Sequence, residues 1–460
     1  MGALDQFGEW IATNPAASEE LRHRVEIHLI DTLGALIAST ATAEGRLLLR
    51  FRDQMRENTG AVLAPDVATR CALARLSEID DIHLSSMTTP GAIVIPAVLS
   101  LAVAMPSVAA GNAETAILAG YEAMIRLGRA IDGPAVLYRG FWPTYFTAPF
   151  GIAAATSRLL KLDAKQSTNA LALALTLAAP GVGQHHALST SRWLAVGNAA
   201  SNGLTAALAA QAGFTSDLRL IEGNFFHSVY GIAASPGELT QGLGAGSVLT
   251  EVSFKPWCAA RQTMAATQAL WEIIQSGVQP QEIDRIRVRV LPPHCKMIDH
   301  DVKSGDRASH LTSVAFCMAA AALAPDGTAA LDLSPADPSQ HVRNFMAKIM
   351  VEPDESLLAS YPRKWPARVE VEAGSARHER VVTDIPGDPA RPLDRAKIQE
   401  KFTRFVRPII GAERTQQLFN GCSDALSGGD LRALVDEIEH VCRAGLRPAG
   451  CEPRRENVAL

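Results

Sequence analysis

Residues Ile93–Ala110 read IVIPAVLSLAVAMPSVAA and carry no charge. An uncharged run of ~18 residues raises the question of a membrane-spanning helix. Pro96 and Pro106 interrupt it, Ala outnumbers Leu, and no basic residue flanks it. The run therefore reads as a helix buried in a thick helical core, and no membrane partner is expected. Its surroundings have the same texture. Ala-rich runs recur at Ala97–Ala104, Ala113–Ile131, Ala148–Leu160, Ser167–Leu177 and Gly197–Gly213. Ala is the strongest helix former, and its small side chain lets helices approach closely. Gly133-Pro134, Pro180-Gly181 and Gly213 punctuate the joints. Upstream, Ser18-Glu19-Glu20 caps and charges a helix start, and Val25, Leu29, Leu33 and Ile37 follow at helical spacing.

The texture changes near Ser235–Lys255, where Gly237, Gly242, Gly244 and Gly246 dilute the helix signal. Beyond it, Arg285–Leu291 (RIRVRVL) and Arg368–Glu372 (RVEVE) alternate with period two, as half-buried strands do. Helical runs lie between them at Thr263–Gln275 and Ser309–Leu323, and helical spacing returns at Asp394–Val406 and Asp430–Ala444. A chain of 460 residues exceeds the ~250–300 that one core supports. The expected fold is mainly α. Residues 1–254 and 391–445 form a large all-helical domain, 255–390 a smaller α+β lid domain, and 446–460 a frayed tail.

Composition narrows the function. Hydrophobic residues at 47% and charged residues at 20% exclude a disordered chain, and aromatics at 5% leave the core to Ala, Leu, Val and Ile. The net charge of -5, with no basic stripe, argues against a nucleic-acid partner. The seven cysteines include no CxxC pair, so zinc-ribbon, thioredoxin-type and disulfide-framework readings lack support. Reduced thiols and an N-terminus, Met1–Pro15, without a basic region point to the cytoplasm. No Walker loop, GxGxxG, GxSxG or HExxH occurs, and no metal or cofactor is expected.

Four local clusters remain. The first is Glu78-Ile79-Asp80-Asp81-Ile82-His83, followed by Thr88-Thr89-Pro90-Gly91. Acidic residues beside a histidine can tune a base, or can simply be solvated carboxylates at a helix end. The others are Arg139-Gly140-Phe141-Trp142-Pro143-Thr144-Tyr145, Ser191-Arg192-Trp193-Leu194-Ala195-Val196-Gly197-Asn198-Ala199-Ala200, and Phe254-Lys255-Pro256-Trp257-Cys258-Ala259-Ala260-Arg261. Each of these three sets an Arg, Lys or Tyr at the mouth of an apolar helix.

In this order the clusters resemble the MmgE/PrpD family. The elements that carry the resemblance are the acidic pair before a Pro-Gly helix start, RGF-x-P-T, the GNAA helix, and the Lys-Pro-x-Cys-x-x-Arg-like segment. A later Gly387-Asp388-Pro389 with Lys401-Phe402 extends it. The resemblance implies a helical domain with an α+β lid, a homodimer, and proton-transfer chemistry on small polycarboxylates without a redox cofactor. Family members include 2-methylcitrate dehydratase, cis-aconitate decarboxylase and iminodisuccinate epimerase. The dehydrating and decarboxylating members carry His where this chain has Thr89 and Trp142. They carry Lys at Arg192, and Tyr at the position that aligns with Ser313.

Without those imidazoles the expected proton carriers are Tyr145, His83 and Lys255, with Asp81 beside them. Lys255 and Arg192 are expected to lower the pKa of the Tyr145 phenol. Arg192 suits gripping a carboxylate. Arg261 and Arg307 suit either a carboxylate fork or a surface ion pair. Thr89 and Trp142 complete the expected substrate contacts. His185-His186 reads as a loop near the cleft, and Cys258 as a small buried residue. The expected activity is epimerisation of a substrate such as iminodisuccinate. Dehydration of a 2-methylcitrate-like acid and non-catalytic polycarboxylate binding are the alternatives.

Overall fold

The computed structural model describes residues 1–13, 17–106, 112–179, 181, 189–426 and 430–445. The uncharged run forms the helix Gly91–Ala104, buried from Gly91 to Ala102, with Pro96 accommodated inside it. Among the described residues no helix is long and apolar enough to cross a membrane. Residues 107–110 at the end of the run lie outside the described residues, as do His185-His186 and the tail 446–460.

Around this helix pack Glu19–Ser39, Leu63–Leu76, Ala113–Ala130 and Pro143–Leu159, and Ser191–Gln211 packs in turn on Leu63–Leu76 and Pro143–Leu159. Ser18 caps the first of these by accepting from the Leu21 amide at 3.3 Å. The C-terminal helices Arg395–Ile410, Ala412–Leu426 and Leu431–Gly445 return to the same core. Phe402, Phe419 and Val441 are buried against it. Buried ion pairs add a polar tie: Arg52 donates to Glu439 at 2.9 Å, and Lys401 donates to Asp31 and to the Ile79 carbonyl.

A mixed four-stranded sheet holds a second apolar cluster. Its strands are β1 (Ile283–Val290), β2 (Ile349–Pro353), β3 (Ala367–Ala373) and β4 (Ala376–Val382), in spatial order β2-β1-β3-β4. β1 runs parallel to β2 and antiparallel to β3, so Val288 faces Val351 on one side and Val369 on the other. Helix Arg261–Gln275 covers the sheet's apolar side, and Val314–Leu323 packs on that helix. The period-two runs are β1 and β3, the two central strands. The edge strands β2 and β4 escape the sequence pattern because their faces are largely exposed.

The run Ser309–Leu323 divides into two helices, Arg307–Thr312 and Val314–Leu323. Ser313 caps the second by accepting from the Phe316 amide, and donates to the His300 carbonyl at 2.8 Å. A short antiparallel bridge, Ile82 to Ser253, brings the acidic segment beside Lys255.

Candidate active site

The helix Leu63–Leu76 ends at Ser77, whose hydroxyl donates to the Ala74 carbonyl and accepts from the Ile79 amide. The chain that follows bends at Glu78, which has φ +58°, and again at Asp80, and it sends Asp80 and Asp81 to different partners. Asp81 turns into the helical body. It accepts from the Tyr121 hydroxyl at 2.7 Å, from His28 Nδ1 at 2.8 Å and from the Gly91 amide at 2.9 Å. A Cβ on Gly91 would sit 2.6 Å from the Asp81 carboxylate and from the Tyr121 hydroxyl, so the contact requires glycine.

Asp80 turns the other way. Its Oδ1 accepts from Lys255 Nζ at 2.9 Å and from Arg75 at 3.3 Å. Glu78 closes the group, 3.0 Å from Arg75 and 3.2 Å from Lys255. Burial opposes ionisation of Glu78, but Arg75, Lys255 and Arg307 outweigh it and hold its carboxyl at about 2. At Asp80 burial dominates and raises the carboxyl above its ordinary range. Burial alone would lower the Lys255 ammonium; Asp80 and Glu78 reverse that and hold it above its ordinary value.

This group borders a cleft. Five cations line it: Arg75, Arg192, Lys255, Arg261 and Arg307. Glu78 is the lining carboxylate among the described residues, and Thr89, Trp142, Gln262, Met297 and Thr312 fill other walls. Six of the nine residues expected from the sequence thus meet in one cavity: Lys255, Arg192, Arg261, Arg307, Thr89 and Trp142.

Their settings differ. The Arg192 guanidinium lies over Trp142 and Trp193, 5.9 and 5.7 Å from the ring centroids. Arg261 is buried, not a surface residue. It donates to Asp388 at 2.6 Å, while its Nε and Nη1 have no hydrogen-bond partner among the described residues. Arg307 donates to the Leu76 carbonyl at 2.6 Å and the Leu333 carbonyl at 3.3 Å, so much of its fork ties the end of Leu63–Leu76 to Arg307–Thr312. The Thr89 amide donates to Thr144 Oγ1 at 3.0 Å.

Tyr145, His83 and Asp81 are buried and do not appear in the cleft wall. Tyr145 packs behind Trp142, with ring centroids 5.5 Å apart, and its hydroxyl has no partner among the described residues. The expectation of a lowered phenol pKa is corrected here. Arg75 and Arg192 do pull it down, but burial is the larger effect and pushes it up to about 12. His83 spends one ring nitrogen on Ser86 at 2.8 Å and the other on Arg129 at 3.1 Å, beside Glu251. Burial lowers its pKa.

Arg75 was not among the residues expected from the sequence, Glu78 was expected only as part of the acidic cluster, and Asp81 was expected at the site where Asp80 pairs with Lys255. The spacing of Arg75 and Glu78, three residues apart across a helix end, was the available signal. Cys258 is buried, and its thiol donates to the Ser77 carbonyl at 3.2 Å. Among the described residues no group of three or more His, Cys, Asp or Glu side chains is placed to hold a metal ion.

Comparison with known proteins gives two family matches, the MmgE/PrpD N-terminal domain over residues 5–231 and the MmgE/PrpD C-terminal domain over residues 257–425. Human cis-aconitate decarboxylase is 23% identical over 419 residues, covering 85% of this chain and 84% of that protein. The cis-aconitate decarboxylase of Aspergillus terreus is 30% identical over 173 residues, 36% of this chain and only 35% of that protein. Because the two domain matches together take in most of the 460 residues, the chain belongs to the MmgE/PrpD family.

Proposed function

We propose that the cleft binds a small di- or polycarboxylate and moves a proton at the carbon α to one of its carboxylates. The carrying observation is the convergence of Arg75, Arg192, Lys255, Arg261 and Arg307 on one cavity lined, among the described residues, by a single carboxylate already held ionised. Guanidinium groups grip carboxylates in a directional way, and cations beside the reacting carbon stabilise an enolate-like charge.

The finer reading is an epimerase acting on a substrate such as iminodisuccinate. One group removes the α-proton and a second returns it from the opposite face. Lys255 is the proton carrier in the cleft wall and Tyr145, behind Trp142, the candidate for the second, with His83 and Asp81 holding the surrounding segments. Arg192, Arg261, Thr89, Trp142 and Arg307 bind the substrate. For Lys255 to act as a base its proton must first leave against the pull of Asp80, 2.9 Å away, and of Glu78. In this reading residues 255–390 form a lid over the helical body, and the protein works in the cytoplasm as a homodimer.

A second reading, a lyase, has its own support. Tyr145, at about 12, and Lys255, above its ordinary value, rest in their acid forms. Acids suit the protonation of a carbanion left by decarboxylation, or of a departing hydroxyl as in dehydration of a 2-methylcitrate-like acid. The relatives named above are decarboxylases.

The test is incubation in deuterated water with a panel of di- and tricarboxylates, followed by NMR. Deuterium incorporated at the α-carbon without net loss of substrate supports the epimerase. Loss of water or carbon dioxide supports the lyase. Binding without any exchange or turnover removes the catalytic proposal.

A further inference from the structure

We propose that Asp388 is a positioning residue for the cleft, aiming Arg261 at a substrate carboxylate while its own turn braces the segment that carries Lys255. The inference rests on the polycarboxylate reading of the cleft. Arg261 opens the helix Arg261–Gln275, where the helix dipole disfavours a positive charge. It is also 1% exposed, and a buried cation is costly without a partner. Asp388, 2% exposed, is that partner: its Oδ2 accepts from Arg261 Nη2 at 2.6 Å and from the Ile385 amide at 2.8 Å. The face of Trp365, 5.8 Å away, limits the guanidinium further.

One carboxylate therefore neutralises Arg261 but uses only part of its donor set. Nε and Nη1 remain without partners among the described residues, on a side chain that lines the cleft. Unspent donors on a buried, neutralised guanidinium at a helix N-terminus form a place for an incoming anion.

The turn itself is rigid. The Gly387 amide donates to the Arg391 carbonyl and the Arg391 amide to the Asp388 carbonyl, each at 2.8 Å. The Gly387 carbonyl accepts from the Phe254 amide at 2.9 Å, so the turn abuts the residue before Lys255. Gly387 has φ +102°, and a Cβ there would lie 2.2 Å from the Phe254 carbonyl oxygen. One turn thereby touches the supports of two cleft cations, which lie on different elements.

The test combines crystal structures with calorimetric binding of tricarballylate, a plain tricarboxylate. Asp388→Asn is expected to displace the Arg261 guanidinium from the cleft and to weaken binding about tenfold or more, the scale of one charged hydrogen bond. In an Arg261→Gln background the same change should add less than twofold, because Asp388 acts through Arg261. Asp388→Glu, which keeps the charge, should recover most of the affinity; if the Asn variant does not fold, Glu and its combination with Arg261→Gln carry the comparison. Full affinity in Asp388→Asn with Arg261 unmoved, or an equal loss in the Arg261→Gln background, overturns the proposal. If the parent binds no polycarboxylate, the reading of the cleft fails; the position of Arg261 in the variant structure then decides the role of Asp388 by itself.

Discussion

Asp80 and Asp81 are neighbours in the chain and face opposite ways, Asp80 toward Lys255 at 2.9 Å and Asp81 toward Tyr121 at 2.7 Å. The first belongs to the charge group of the cleft. The second anchors the segment that presents it. Asp81→Ala should therefore act on stability, leaving three buried donors unsatisfied and costing about 3 kcal/mol or more. Chemical denaturation measures this. A folded Asp81→Ala protein of unchanged stability but lost turnover would place Asp81 in the chemistry instead.

Lys255→Met leaves the Asp80 and Glu78 carboxylates with Arg75 as their remaining close cation. Breaking a buried pair by removing one partner costs about 3–5 kcal/mol. Lys255→Arg keeps the charge and should lose far less stability. If Lys255 carries a proton, Lys255→Arg should still lose turnover, because guanidinium does not release its proton near neutral pH. Parent-like rates in Lys255→Arg would reduce Lys255 to an anchor.

Tyr145→Phe separates chemistry from packing. The hydroxyl is buried without a partner among the described residues, so its removal should leave the melting temperature unchanged or raise it. A proton-carrying phenol gives a rate loss of roughly 100-fold, the usual scale for a removed general acid. Turnover at the parent rate would exclude the role.

Arg192→Lys replaces a planar group lying over two indole rings. Substrate affinity should fall by about 1.5–3 kcal/mol, measured by calorimetry or as a rise in KM. Unchanged affinity would mean that Arg192 shapes the wall without gripping the substrate.

His294 is buried among Tyr138, Tyr361 and Trp365, and burial together with Arg261 lowers its pKa to about 3. A depressed imidazole contributes stability above its unfolded value of ~6.5, and loses that contribution as pH falls toward the folded value. Between pH 6.5 and 3 the parent should therefore lose up to about 1.4 kcal/mol per pH unit through this group. His294→Gln should flatten the slope in denaturant melts between pH 7 and 5. An identical slope would mean that His294 is protonated in the folded protein.

Much of this architecture was legible in the sequence because its signals are local. Helical spacing marked the layers, and period-two alternation marked β1 and β3, whose buried faces alternate. The cleft cations Lys255, Arg192 and Arg261 stood out beside apolar helix starts. What stayed hidden depends on direction. No one-dimensional pattern says that Asp80 turns to Lys255 and Asp81 to Tyr121 and His28, since that is set by the Ile82–Ser253 bridge and the Gly91 contact. Arg75 reads as an ordinary late-helix cation until the fold folds Lys255 against it. The sign at Tyr145 was misread for a similar reason: nearby cations are visible in the motifs, whereas the burial that outweighs them appears only after packing.

Five cations forming a polycarboxylate site should be visible in a calorimetric titration of the intact protein with tricarballylate. A neutral analogue, its triamide, serves as the control. The expected result is saturable binding of the acid, weakened by added salt and by Arg261→Gln, with no binding of the triamide. Equal binding of acid and triamide, or binding of the acid that Arg261→Gln leaves untouched, would show that these cations do not form a polycarboxylate site.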